Sequence, residues 1–188
     1  MRTLKLFGLA VPLSAVVSPL LAEETRRLDA HVHGVTEVQI ATEGDKVEIR
    51  LHAPGADIVG FEHEATSKKD KAAVAAAIGR LSDAGSVLVL DPAAECTVED
   101  AEAALRGEGQ TPDDDHGHED EEVDGAHSGF EAHYHFECVA PGTLTTVDFP
   151  FFQNFLNAKE IKVEYVTAAG AGIAVVTRGS SKLTLDGA

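Results

Sequence analysis

Tryptophan is absent from this chain of 188 residues, cysteine occurs twice, and methionine only as Met1. Aromatic residues make up 5%, so a core must be packed mainly with Val, Leu, Ile and Ala, for which 44% hydrophobic residues suffice. Basic residues are also scarce: 15 Lys and Arg stand against 32 Asp and Glu, a net charge of −17. That deficit excludes a nucleic-acid partner, because displacing counterions from phosphates takes clustered Lys and Arg. Anionic membrane surfaces repel the chain for the same reason. The lack of internal Met argues against a thioether site for Cu(I). Catalytic signatures are missing too: there is no G-x-S-x-G elbow, no H-E-x-x-H pair and no phosphate-binding loop. The expectation is a protein that is not an enzyme.

What is present begins with an export address. Arg2 and Lys5 precede an apolar run from Leu6 to Leu21, broken by Pro12 and Pro19 and ended by Ala22 before Glu23-Glu24. This reads as a signal peptide over 1–22, too short and interrupted for a membrane span, leaving 23–188 as a single exported domain. Once the signal is cleaved, no membrane association is expected. An oxidising compartment makes Cys96 and Cys138 a disulfide rather than a two-thiol metal site. The bridge closes a loop of about 43 residues, for which the chain-entropy model gives about 4 kcal/mol.

Period-two alternation runs from Val32 to Ala53, with Val38 and Ile40 on one side and Val47, Ile49 and Leu51 resuming it after Gly44-Asp45. The pattern predicts a hairpin with 38, 40 and 42 opposite 51, 49 and 47. A connector over 54–66 leads to a helix opened by Ser67 with Asp70 three residues on. Its stripe is Val74, Ala77, Ile78 and Leu81, and Gly85 fits its end. A short buried strand follows at Val87 to Leu90, stopped by Asp91-Pro92. Residues 106–128 carry almost nothing apolar, so a mobile loop is expected there, its roots held by the disulfide. Phe130 to Val139 alternates again, with Tyr134, Phe136 and Cys138 inward and Glu131, His133, His135 and Glu137 outward. Phe149, Phe151, Phe152, Phe155 and Leu156 suit an amphipathic helix over 148–158, with Phe61 as a separate core anchor. Strands then fit 160–167 and 171–177, joined near Gly170, with a last one around Leu183 and Leu185. The fold class is α+β: a mostly antiparallel β-sheet with two helices packed on it and a long disordered loop rich in His, Asp and Glu.

Four of the nine histidines form i, i+2 pairs in these strands, His31/His33 and His133/His135. Residues so spaced share a face about 7 Å apart along the chain, and two imidazoles can converge on one ion through bonds of about 2.0–2.1 Å. His52 shares the polar side of its strand. Glu62-His63-Glu64 adds a carboxylate beside an imidazole, which can bind an ion directly or orient the ring through its second nitrogen. In the 106–128 segment, His116, His118 and His127 stand among carboxylates including Asp113 and Asp115. Dense charge concentrates divalent cations there, and imidazole selects Zn, Ni or Cu over Ca and Mg. Copper or nickel is therefore one alternative to zinc. A zinc-dependent hydrolase using Glu62 or Glu64 as base is the other.

The order of these features resembles a known family. Asp29-Ala30-His31-Val32-His33-Gly34, Ala53-Pro54, Gly60-Phe61-Glu62-His63, the Cys96/Cys138 pair, the His-acidic segment and Tyr134-x-Phe136-x-Cys138 with its Phe-rich sequel occur as in ZrgA-type periplasmic zinc-binding proteins. The resemblance covers about residues 29–185. It implies zinc as the bound metal and a role accessory to a zinc ABC importer, with contact to that importer's solute-binding protein. It also supports His31, His33, Glu62 and His63 as members of recurrent motifs. Relatives carry longer His runs in the loop than the three histidines here.

Overall fold

The computed structural model describes residues 34–107, 128–168 and 170–185. The signal peptide expected over 1–22, the His31/His33 pair and the loop residues Asp113, Asp115, His116, His118 and His127 lie outside the described residues.

The predicted hairpin forms as β1 (Val35–Glu43) and β2 (Lys46–Pro54), with Val38 opposite Leu51, Ile40 opposite Ile49 and Thr42 opposite Val47. Gly44, at φ 62°, makes the turn. Alternation decides the register, since a one-residue slip would turn Ile49 and Leu51 from the core to water. Burying each is worth about 1.5–3 kcal/mol. The rest of the main sheet is β4 (Cys96–Gly107), β5 (Ser128–Cys138), β7 (Glu160–Thr167) and β8 (Gly170–Thr177), in the order β4-β5-β2-β1-β7-β8. Every pairing is antiparallel except that of β1 with β7. A second, three-stranded sheet of β3 (Val89–Leu90), β6 (Thr146–Asp148) and β9 (Lys182–Thr184) runs in the order β3-β6-β9.

The helical part departs from the expected two helices. The described residues hold α1 (Gly55–Ile58), α2 (Lys68–Leu81), α3 (Ala84–Val87) and α4 (Phe151–Asn154), and only α2 exceeds one turn. Ser67 caps α2 by accepting from the Asp70 amide at 3.1 Å. The α2 stripe buries Ala77 and Leu81 fully and Val74 and Ile78 partly. Gly85 does not end this helix. Ser82 does, and Gly85 and Val87 belong to α3, which shortens the following strand to two residues. The helix expected over 148–158 shrinks to α4, because Pro150 and the packing of Phe149, Phe151, Phe152 and Phe155 leave no continuous helical face. Leu156 is 76% exposed. Arg178 ties that segment down, donating to the carbonyls of Phe152, Phe155, Leu156 and Ala158 and lying over the Phe152 ring.

One face of the main sheet carries the core: Val38, Ile40, Ile49, Leu51, Phe130, Tyr134, Ile161 and Val163 are buried with α2 and the Phe-rich turn. Tyr134 crosses it and donates to the Leu81 carbonyl at 2.8 Å. The disulfide joins Cys96 and Cys138, which are register partners at one end of β4 and β5. Two bounds of the expected loop move inward, because Arg106, Gly107 and Ser128 are paired strand residues.

Candidate metal site

The opposite face of the sheet is open, and the register arranges its side chains in rows across the strands. The row nearest the Ser128 end sets Ala104, Glu131, His52, Glu37 and Lys162 side by side. The next sets Glu102, His133, Arg50, Gln39 and Glu164, and the third Asp100, His135, Glu48, Ala41 and Val166. His52, His133 and His135 therefore share one face of adjacent strands, as the alternation predicts. Neighbours within a row have Cβ atoms about 4.5–5.5 Å apart.

The rows differ in charge. In the middle row His133 has the Arg50 cation as its direct neighbour, which repels a dication. Arg50 hydrogen-bonds Glu48 at 2.7 Å and holds that carboxyl below its ordinary range, with His135 and His133 lowering it further. In the first row Glu131 faces His52 Nδ1 at 3.9 Å and accepts from Arg106 Nε at 3.4 Å. His52 lies against the backbone of β5, where a Cβ on Gly129 would come within 3.2 Å of the imidazole Cε1.

A second cluster forms beyond this row, at the corner where β2 ends, β5 begins and the chain enters β1. The 61–64 turn is stitched to the start of β5, the Glu62 carbonyl accepting from both the amide and the hydroxyl of Ser128 at 3.1 Å. Gly55, at the start of α1, sits so close that a Cβ there would meet the Phe61 and Ser128 carbonyls at 2.6 Å. Two residues on, the buried Asp57 carboxylate accepts from the Gly34 amide at 2.7 Å. Gly34 takes φ 93°, a left-handed conformation that favours glycine, and its carbonyl accepts from the Lys159 and Glu160 amides. Around α1 the fold thus gathers Gly34, the residue after His33; the Phe61–Glu64 turn; and Ser128, the residue after His127.

His63 is the best prepared candidate ligand among the described residues. Its ring stacks on Phe61 with centroids 4.6 Å apart, and Nδ1 lies 3.0 Å from the Glu64 carbonyl. With Nδ1 donating to that carbonyl, Nε2 keeps its lone pair for a metal, the arrangement that orients many ligating imidazoles. Phe61 is not the core anchor expected from its apolar character: it is half-buried and stacks on the His63 ring. Nor is the orienting acceptor a carboxylate, as the Glu-His-Glu pattern suggested, but the backbone of Glu64. Ser128, Asp57, Gly129 and Phe61 carry no metal-binding signal in sequence, since their roles depend on which strands meet.

The expected ligands fall into two groups. His63, Glu62 and His52 stand at or beside the corner, whereas His135 lies roughly 20 Å farther along β5 from Gly129 at ordinary strand rise. Among the described residues, no three His, Cys, Asp or Glu side chains come together closely enough to hold an ion by themselves. No helix among them is long and apolar enough to cross a membrane. No curated protein matches the chain. A family model described as ZrgA family zinc uptake protein matches residues 30–185, which takes in both histidine pairs, the corner and every strand. The chain belongs to the ZrgA family of zinc uptake proteins.

Proposed function

We propose that the protein is an exported, non-enzymatic carrier that captures zinc in the periplasm and assists its delivery to a zinc ABC importer. The observation that carries this reading is the corner around α1. His63 stands there with its Nδ1 engaged, Ser128 is hydrogen-bonded to its neighbour Glu62, and Asp57 of α1 holds Gly34. The ligand set is His63 with His31 and His33, supported by Glu62 and by His127. A zinc site needs about four donors, and the described part supplies too few alone. Ligands drawn from separate segments suit a carrier, because each can leave the ion in turn and release does not require opening a closed cage.

The remaining candidate residues fill supporting roles in this reading. His116, His118, Asp113 and Asp115 serve as an acidic antenna that raises the local zinc concentration. His52, His133 and His135 offer a holding surface on the open face, weakened in its middle row by Arg50. The importer's solute-binding protein is the proposed recipient, meeting this chain through the metal-loaded corner. The test is a competition titration against a chromophoric zinc chelator, with the wild type, His63→Ala and the His31→Ala/His33→Ala pair. Each variant is expected to bind zinc at least tenfold more weakly with an unchanged circular dichroism spectrum, since His63 is exposed. Unchanged affinity in both variants would remove the corner from the account.

A further inference from the structure

The two edges of the main sheet are built differently. On the β4 edge stand Glu99, Asp100 and Glu102, with a register shift between Val98 and Asp100. Charge and a bulge are the usual means of keeping a sheet edge from pairing with another chain. The β8 edge has neither. It is eight residues of regular strand, paired with β7 on one side. On the other, among the described residues, only Thr177 has a backbone partner, bridging to Ser180 in the turn that follows, so the edge is open from Gly170 to Val176. No charged side chain occurs in the sequence between Glu164 and Arg178. On the open face this edge shows Ile173, 68% exposed, and Val175, 57% exposed, beside Val166 at 61%. These are three of the seven exposed large hydrophobic residues of the described structure, gathered on one margin.

We infer that β8 is a self-association edge, where a second copy of this chain adds its own β8 antiparallel and extends the sheet across a twofold axis. Two observations select a second copy. The first is charge. Without Arg2 and Lys5 of the expected signal, the −17 of the full chain becomes −19 in each copy, so two copies repel over most of their surface, and β8 is a neutral margin where they can approach. The second is the self-complementary pattern of the strand. Pairing centred on Ala174 sets Ile173 opposite Val175 of the second copy and Val175 opposite its Ile173. Both exposed apolar side chains are covered at once, and the unpaired backbone groups of each edge gain partners. An isologous contact needs this reciprocity. An edge of eight residues buries less than about 1,200 Å², the range of weak, reversible association.

This inference is independent of how zinc is bound. It predicts an unusual salt response: screening relieves the repulsion between acidic copies, so the dimer tightens as ionic strength rises, whereas one held by ion pairs loosens. The experiment is sedimentation velocity on the purified protein over a wide concentration range, at low and high salt, with a chelator present throughout. The weight-average mass is expected to climb toward twice the monomer value with concentration, further at high salt. The Ile173→Glu/Val175→Glu variant, which sets carboxylates opposite carboxylates, should stay monomeric under all conditions. Both residues are exposed, so its fold is checked by an unchanged melting curve. As a second reading of register, Ala174→Cys should yield a covalent dimer on mild oxidation, and Val139→Cys, exposed elsewhere, should not. A monomer at every concentration and salt overturns the inference. So does a dimer that survives the double Glu substitution, or one that appears only when zinc replaces the chelator.

Discussion

At the scale of single residues, two buried hydrogen bonds decide where the working parts stand. Asp57 accepts from the Gly34 amide inside the fold, and so fixes the backbone at the point where it leaves His33. Replacing it with Ala leaves that amide without its acceptor and should cost about 1.5–3 kcal/mol, the range for bonds to charged groups. Asp57→Asn keeps an acceptor and should cost less; chemical denaturation of the two variants separates the contributions. Tyr134 is the second case. Burial holds its phenol above the ordinary value of 10.0, with Asp83 adding to the effect. The neutral hydroxyl is thus favoured in the folded state. Its stabilisation is fully present below pH 10 and declines as the pH rises above that value, where the unfolded chain ionises first. Tyr134→Phe should lose about 1–3 kcal/mol at neutral pH, because the Leu81 carbonyl loses its donor, and should show a flatter alkaline decline. A thermal melt series from neutral to alkaline pH reads both effects.

Among the elements, the strands with clean alternation were legible residue by residue. The β1–β2 register and the inward set of β5 follow from period two alone, because a single slip exposes the whole apolar face. β4 was not legible. Its sequence, Cys96-Thr-Val-Glu-Asp-Ala-Glu-Ala-Ala-Leu-Arg-Gly107, is poor in β-branched and aromatic residues, and its acidic composition blends into the segment that follows. It is a strand because β5 offers it a long partner and the disulfide fixes its first residue to the last of β5. That gives the bridge more to do than hold loop roots. The Cys96→Ser/Cys138→Ser variant should lose about 2–5 kcal/mol, and hydrogen exchange should find the excess loss of protection in β4 rather than in β1 and β2. Equal loss over all strands would mean that β4 is held by its ladder alone. The Phe-rich segment was read correctly as core but wrongly as one amphipathic helix. Its side chains are buried from a turn that Arg178 ties through four carbonyls, an interaction between distant segments that no local pattern reveals.

For the whole molecule, the chemistry of the candidate ligands was legible in the sequence, but their grouping was not. His-x-His spacing identifies same-face pairs. It does not say that the 61–64 turn meets the start of β5, or that Arg50 separates the middle of the open face from the corner, since both depend on strand order. That order, with β1 central and parallel to β7, rests on long-range pairing invisible to local periodicity. The acidic charge works at this scale too, drawing divalent cations toward a surface whose donors are sparse among the described residues, and the proposal assigns capture to the corner. The most direct test of that claim is zinc stoichiometry by native mass spectrometry on the intact protein, on a version lacking 108–126 that keeps His127, and on each carrying His63→Ala. The account predicts that the shortened protein keeps at least one zinc, and that His63→Ala removes it. If the shortened protein holds zinc regardless of His63, or if deletion alone abolishes all binding, the corner is not the site and the proposal fails.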